Sequence, residues 1–275
     1  MKFSVLMSVY SKEKPEYFEQ AIKSVLAQTL VPNEIVIVKD GPLTKELDNV
    51  INSCLKNYNE LFKIVELDEN YGLGIALNRG LEKCSNELVA RMDTDDICEH
   101  DRFEKQINEF RKNNKLSLVG GIIAEFNNIV GDKNQLRYVP EKNNQIYQKL
   151  KKRNAFNHVT VMFKKSDVLN AGGYMNCPSF EDYYLWVRMA INKCEFYNIQ
   201  SVLVNVRVGN DMLRRRGGIN YFKYCKEFYK KLLASGFIKQ IEYYQSLVVR
   251  FIVAIAPLSI RNYIYSSLLR RKKKV

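Results

Sequence analysis

Histidine is almost absent from this chain. Among 275 residues there are two, His100 and His158, too far apart in sequence to share a metal ion by local spacing. Cysteine is present but unpaired in pattern: Cys54, Cys84, Cys98, Cys177, Cys194 and Cys225 are scattered, with no Cys-x-x-Cys. That excludes a zinc ribbon and a disulfide framework. The first residues run into a strand-like segment, Phe3–Val9, and then into charge, which does not read as a secretory leader. The expectation is therefore a cytoplasmic protein with reduced thiols. No apolar run approaches the roughly 20 residues that span a bilayer; in the C-terminal apolar stretch the uninterrupted part, Phe251–Ala256, holds six. Glycine-rich phosphate loops are missing too. Gly72-Leu-Gly74 follows the third strand rather than the first, position 77 is Leu, and no Gly-Lys-Ser/Thr occurs.

Acid is scarce in one place only. Residues 1–200 balance 27 Lys and Arg against 27 Asp and Glu, whereas residues 201–275 set 16 against three, Asp211, Glu227 and Glu242. The whole net charge of +13 thus sits in the last quarter. Such asymmetry marks contact with a polyanion, whether phosphate ligands, nucleic acid or an anionic bilayer, or else a solvated basic tail.

The first 126 residues alternate strand and helix signals. Phe3–Tyr10 is strand-like. Pro15 opens a helix with Phe18, Ala21, Ile22, Val25 and Leu26 on one face. Glu34–Val38 is a buried-type strand, a second helix carries Leu47, Val50, Ile51, Cys54 and Leu55, and Phe62–Leu67 is a third strand. Leu73–Lys83 reads as a helix and Glu87–Met92 as the fourth strand. Phe103, Ile107 and Phe110 mark another helix, and Leu116–Phe126 another strand. This alternation predicts an α/β fold with a Rossmann-like, mainly parallel sheet and flanking helices. Beyond it the pattern loosens: Asn127–Asn144 reads as a loop, Asn157–Phe163 as a strand, Ala171–Tyr174 as a turn, and Ser179–Asp182 as the lead into a helix.

Asp93-Thr94-Asp95-Asp96 follows the fourth strand directly. Three carboxylates in four residues repel one another unless a cation sits among them, and hard oxygen donors suit Mg²⁺ or Mn²⁺ with a phosphate-bearing substrate. A polar turn with a helix cap uses the same residues. Position favours the site. In parallel sheets ligands bind beyond the carboxyl ends of the strands, and Tyr10, Asp40, Asn70 and Asp93 all fall there. Asp182, near a helix N-terminus, either stabilises the helix dipole or faces a cleft as a general base.

These segments together resemble glycosyltransferase family 2, and Asp40-Gly-Pro-Leu43 with Asn157–Met162 resembles its bacterial exopolysaccharide and O-antigen branch. The matching stretches are Ser4–Tyr10, Ser24–Thr29, Glu34–Gly41, Asn70–Gly74 with Asn78–Gly80, Asp93–Asp96 with Asp101-Arg102, and Glu181-Asp182 with Trp186. The resemblance covers roughly residues 1–210 and implies a GT-A fold, with 1–126 as nucleotide-binding half and 127–210 as acceptor half. It implies an inverting, divalent-metal-dependent transfer of a sugar from a nucleotide-diphosphate donor, UDP-linked in most relatives, to a glycan acceptor that is lipid-linked in many. Under it Val9 and Tyr10 line the base pocket and Asp40 contacts the base. Asn78, Arg79, Asp93 and Thr94 help hold the nucleotide-sugar. Asp95, with Asp93, holds Mn²⁺ or Mg²⁺, and Asp182 is the catalytic base. Glu181, His158, Arg214, Arg215 and Arg216 are candidates for acceptor or diphosphate contacts. Lys39 stands where many relatives carry an acid.

Residues 211–275 read as a basic helical region. Leu247–Ile260 is apolar but broken by Arg250 and Pro257; Tyr263, Ile264, Tyr265, Leu268, Leu269 and the cations 270–274 follow. This pattern suits a helix lying on an anionic membrane surface, peripheral on the inner face, or a helix packed on the domain. Two other functions share features of the chain. A sugar-nucleotide nucleotidyltransferase would carry a glycine-rich loop after the first strand, where Ser11–Pro15 has no glycine. A non-enzymatic polyanion-binding protein would leave the acidic clusters without a task, so no nucleic acid is expected as partner.

Overall fold

The computed structural model describes residues 1–133, 135–208, 217–257, 260–261 and 271–272. Its sheet grows from strands that are apolar on both sides. In β1 (Phe3–Val9), Val5, Met7 and Val9 enter one apolar layer and Leu6 the other. β2 (Glu34–Lys39) repeats this with Ile35 and Ile37 against Val36 and Val38. Side chains of a strand alternate between faces, so both faces of such a sheet need a cover. One cover is α1 (Pro15–Leu26), α2 (Lys45–Tyr58) and α4 (Arg102–Lys112), through Phe18, Ile51 and Phe103. On the other face lie α3 (Leu73–Lys83), α5 (Asn143–Leu150), α6 (Lys165–Asn170) and α7 (Glu181–Ile191), through Leu77, Ile146, Val168 and Trp186. Gly80 lets α3 lie close to the sheet, because a Cβ there would run into Leu6 and Val38.

β3 (Phe62–Glu66), β2, β1 and β4 (Leu88–Met92) are parallel neighbours in that order. β8 (Met162–Lys164) then pairs antiparallel with β4 and with β6 (Leu116–Phe126). β6 pairs antiparallel with β7 (Gln135–Arg137) and parallel with β9 (Glu195–Arg207), and β5 (Ile97–Cys98) lies antiparallel on β9. The parallel strands deliver Tyr10, Asp40 and Asp93 to one edge, as the alternation predicts.

The second half departs from its pattern. Asn157–Phe163 is not one strand. A 3-10 turn, His158–Thr160, precedes β8. Thr160 donates its hydroxyl to Asn157 O at 2.8 Å, giving the backbone a local alternative to the ladder. The expected loop at 127–144 contains β7, and the long strand β9 follows α7. β9 alternates poorly because its register on β6 shifts three times.

Helix α8 (Gly218–Ala234) packs on α7: the Phe228 ring lies 4.6 Å from Phe180 and 4.5 Å from Tyr183. Cys225, Phe228, Tyr229 and Leu232 belong to the same apolar cluster as Trp186, so the core continues past residue 210. α9 (Gln240–Ile255) buries Val253 and Ala254 but leaves Ile241, Tyr244, Val248, Ile252 and Ile255 each more than half exposed. Among the described residues no helix is long and apolar enough to cross a membrane. Part of the basic terminus extends the sheet instead of a helix: β10 (Arg271–Lys272) pairs antiparallel with β7. Arg214, Arg215, Arg216 and residues 262–270 lie outside the described residues.

Candidate active site

The carboxyl ends of β1, β2 and β4 surround a cavity of about 510 Å³, lined among others by Tyr10, Asp40, Asn70, Asp93, Thr94 and Asp95. Asp40 is buried and both its oxygens are engaged. They accept the backbone N–H groups of Tyr71 (2.8 Å) and Gly72 (3.1 Å), which fastens the loop that opens α3. Gly41, at φ +85°, makes that closeness possible, since a Cβ would meet Asn70 N at 2.8 Å. Lys39 turns away from the cavity to Glu66 (2.8 Å) and Asp48 (2.9 Å).

At the end of β4, Asp93, Asp95 and Asp96 bring carboxylate oxygens within 4.8 Å of one another. Each has a different environment. Asp93 forms a two-pronged ion pair with Arg91, a buried arginine of β4. Asp96 is buried and accepts from the backbone N–H of Arg207 at 2.8 Å. Burial, then Asp93 and Asp95, push its carboxyl well above the usual range. Asp95 is pushed up to about 7 by burial, then by Asp93 and Glu13. Thr94 donates its hydroxyl to Glu13 at 2.7 Å. Crowded hard oxygens that resist joint ionisation are a fitting donor set for a divalent cation, which would supply the missing positive charge.

A second cavity, of about 210 Å³, holds Asp182 with Arg137, Arg153, Asn154, His158 and Arg250 on its walls. Asp182 lies in the first turn of α7 and accepts from Asn154 Nδ2 at 2.6 Å. Burial raises its carboxyl above the usual range, against the hydrogen bonds and the nearby Arg137 and Arg91. His158 Nε2 meets Tyr174 Oη at 2.9 Å, and burial holds the imidazole well below its ordinary value, hence neutral. The two cavities share no wall residue, but contacts link the residues around them. Glu181 packs over Gly74, whose Cβ would touch it at 3.5 Å, while Gly72 and Leu73 line the first cavity. Tyr174 lies in the fields of both Asp182 and Asp93.

Three expected residues sit elsewhere. Asn78 is bound on both amide atoms to the backbone of Tyr174, donating to its carbonyl (2.7 Å) and accepting its N–H (2.8 Å). Arg79 faces solvent beside Glu82 at 3.7 Å. Neither lines the first cavity, which follows from their place on α3: one is spent on the neighbouring loop, the other points outward. Val9 is wholly buried in the core, and only its carbonyl, accepting from Asp40 N at 2.8 Å, serves the site. The sequence reading missed Glu13, Arg91, Arg137, Asn154 and Arg250. Arg91 carried a signal, a cation inside an apolar strand, and Glu13 lies in the loop just past β1; the others come from segments with no local pattern.

The family model described as Glycosyl transferase family 2 matches residues 4–169. The UDP-Gal:alpha-D-GlcNAc-diphosphoundecaprenol beta-1,3-galactosyltransferase of Escherichia coli is 38% identical over 274 residues, covering 98% of this chain and 97% of that protein. The amylovoran biosynthesis glycosyltransferase AmsE of Erwinia amylovora is 41% identical over 266 residues, covering 96% and 97%. Among solved structures, S. aureus TarS 1-349 in complex with UDP-GlcNAc superposes with a TM-score of 0.69 at 14% identity, over 97% of this chain and 75% of that one. Mannosyltransferase PcManGT from Pyrobaculum calidifontis, in complex with GDP-Man and Mn2+, gives 0.65 at 15%, over 97% and 75%. The fold is thus GT-A-like, and the chain belongs to glycosyltransferase family 2, which sets aside the nucleotidyltransferase and non-enzymatic readings.

Proposed function

We propose that this glycosyltransferase is inverting and metal-dependent, and moves a hexose from a UDP-sugar to a sugar carried on a polyprenyl diphosphate. The observation that carries the reading is a pair of cavities linked by Tyr174, which interacts with both Asp93 and Asp182. One is lined by the Asp93 and Asp95 carboxylates and Asp40, with Asp96 buried behind them; the other is built on a half-buried, arginine-flanked carboxylate, Asp182. Donor and acceptor identity are carried over from the E. coli relative, whose name specifies UDP-Gal and a diphosphoundecaprenol-linked GlcNAc. UDP-Gal is the first donor to test.

In this reading Tyr10 and Asp40 border the nucleoside, and Asp95, with Asp93 held by Arg91, would hold Mn²⁺ or Mg²⁺. Such an ion stabilises negative charge on a departing diphosphate. Asp182 accepts the proton of the acceptor hydroxyl as its oxygen attacks the anomeric carbon. The bond from that carbon to the diphosphate oxygen breaks, its electron pair leaves with UDP, and the configuration inverts. Asn154 orients the carboxylate, and burial makes it a stronger base than an exposed aspartate. The exposed apolar stripe of α9 and the cationic last quarter dock the enzyme on an anionic membrane, where such an acceptor resides. Incubation with UDP-Gal, Mn²⁺ and a GlcNAc-diphosphate-alkyl acceptor tests this. A β-linked disaccharide product is expected; turnover of no UDP-sugar on that acceptor would overturn the assignment.

A further inference from the structure

A groove of about 1050 Å³ runs along α5 and the segment after β7, and it opens beside the Asp182 cavity. Arg137, Arg153 and Asn154 line both spaces, and Lys149 and Lys152 extend the groove away from Asp182. Its wall also carries one acid, Glu141, which is engaged by the hydroxyl of Tyr197 at 3.0 Å. The cations crowd one another: desolvation and then the charges of Arg153, Lys152 and Arg137 hold the Lys149 ammonium below its ordinary value. A further cation closes the inner end. Arg250 of α9 reaches the Asp182 cavity and donates to Lys152 O and Tyr229 Oη, both at 3.2 Å. Cations converging on one concave wall favour an anionic ligand, and Arg and Lys are the side chains that meet phosphate oxygens.

We propose that this groove binds the diphosphate of the acceptor, the bridge between its sugar and its polyprenyl chain, with Lys149, Lys152, Arg153 and Arg137 as the contacts. The assignment rests on the reading of Asp182 as the acceptor-side base. With the acceptor hydroxyl at Asp182, the rest of that sugar and its phosphates extend into the shared Arg137–Arg153 wall. Arg250, through Lys152 O, ties this wall to α9, the helix whose outer face is apolar.

The test is calorimetric titration with farnesyl diphosphate, a sugar-free probe, in EDTA so that the metal-dependent cavity does not compete. Farnesol and phosphatidylglycerol vesicles are titrated in parallel. The proposal expects binding of farnesyl diphosphate and not of farnesol. It also expects at least about tenfold weaker binding in the Lys149→Gln/Lys152→Gln double variant. Both lysines are exposed, and retained UDP binding with Mn²⁺ confirms that the double variant is folded. Equal affinity for farnesol, or unchanged affinity in the double variant, overturns the proposal. Loss in that variant of vesicle binding alone assigns the groove to a lipid headgroup and equally overturns it. The transfer assay separates the two claims. Sugar transfer with no effect of the double substitution refutes the groove and leaves the function, whereas probe binding lost in the variant with no transfer keeps the anion site and removes the function.

Discussion

At the scale of single residues, Asp182 carries the sharpest consequences. Replacement by Asn preserves shape and the contact with Asn154 but cannot accept a proton. The expected result is a fall in transfer of about 10²–10⁴-fold with UDP binding retained, read from parallel kinetics and titration. Stability should move the other way. Burial raises the folded-state pKa of this carboxyl. Its favourable contribution is therefore present below the unfolded-state pKa and lost as pH rises through the folded-state value. At neutral pH the charge is a cost, and Asp182→Asn should show an equal or higher Tm. Loss of Tm together with UDP binding would make Asp182 structural. The same shift places the acid limb of kcat/KM above the ordinary carboxylate range, with the arginines at 137, 153 and 250 fixed in charge and His158 neutral throughout. A limb at or below the ordinary carboxylate range would contradict this. Asp40, Asp93, Asp95 and Asp182 were visible in the sequence because strand ends and a helix start locate them. Asn154 and Arg137 were not: they belong to irregular or short segments, Arg137 fixed by pairing with Ile123 of β6 and the chain at Ala155 by Asn198 of β9.

At the scale of elements, the first half of the chain and α7 were legible and the strands of the second half were not, for one physical reason. Strands β1 and β2 are buried on both faces and helices α1 and α3 are amphipathic, so their periods survive in the sequence; α3 and β6 end where the pattern ends. β7 is three residues long and β9 slips in register, so neither shows a clean alternation. Helix α8 illustrates what charge alone hides. Its lysines suggest an appendage, yet Phe228 packs between Phe180 and Tyr183 in the main core. Phe228→Ala should cost about 3–5 kcal/mol in a denaturant titration of the whole protein. A change under about 0.5 kcal/mol would mean that the region folds apart. For α9 the test is on the outside. Val248→Glu with Ile252→Glu should abolish sedimentation with anionic vesicles and leave the unfolding midpoint nearly unchanged, because both side chains are exposed. Undiminished sedimentation would remove α9 as the membrane face.

At the scale of the whole molecule, charge and topology divide the work. The sheet's carboxyl edge gathers acids, which need a cation. The groove beside α5 gathers cations, which suit an anion. The Asp182 cavity shares Arg137, Arg153 and Asn154 with that groove. Under the proposed function, the +13 of the last quarter, which the sequence assigns to a polyanion in general, forms one side of an orientation on the membrane. All of this depends on the acidic cavity being the nucleotide-sugar site. The direct measurement is calorimetric titration of the purified protein with UDP, with Mn²⁺ and with EDTA, repeated on Asp95→Ala. The account predicts binding that requires the metal and disappears in Asp95→Ala. UDP binding of equal strength in EDTA, or retained in Asp95→Ala, would contradict it.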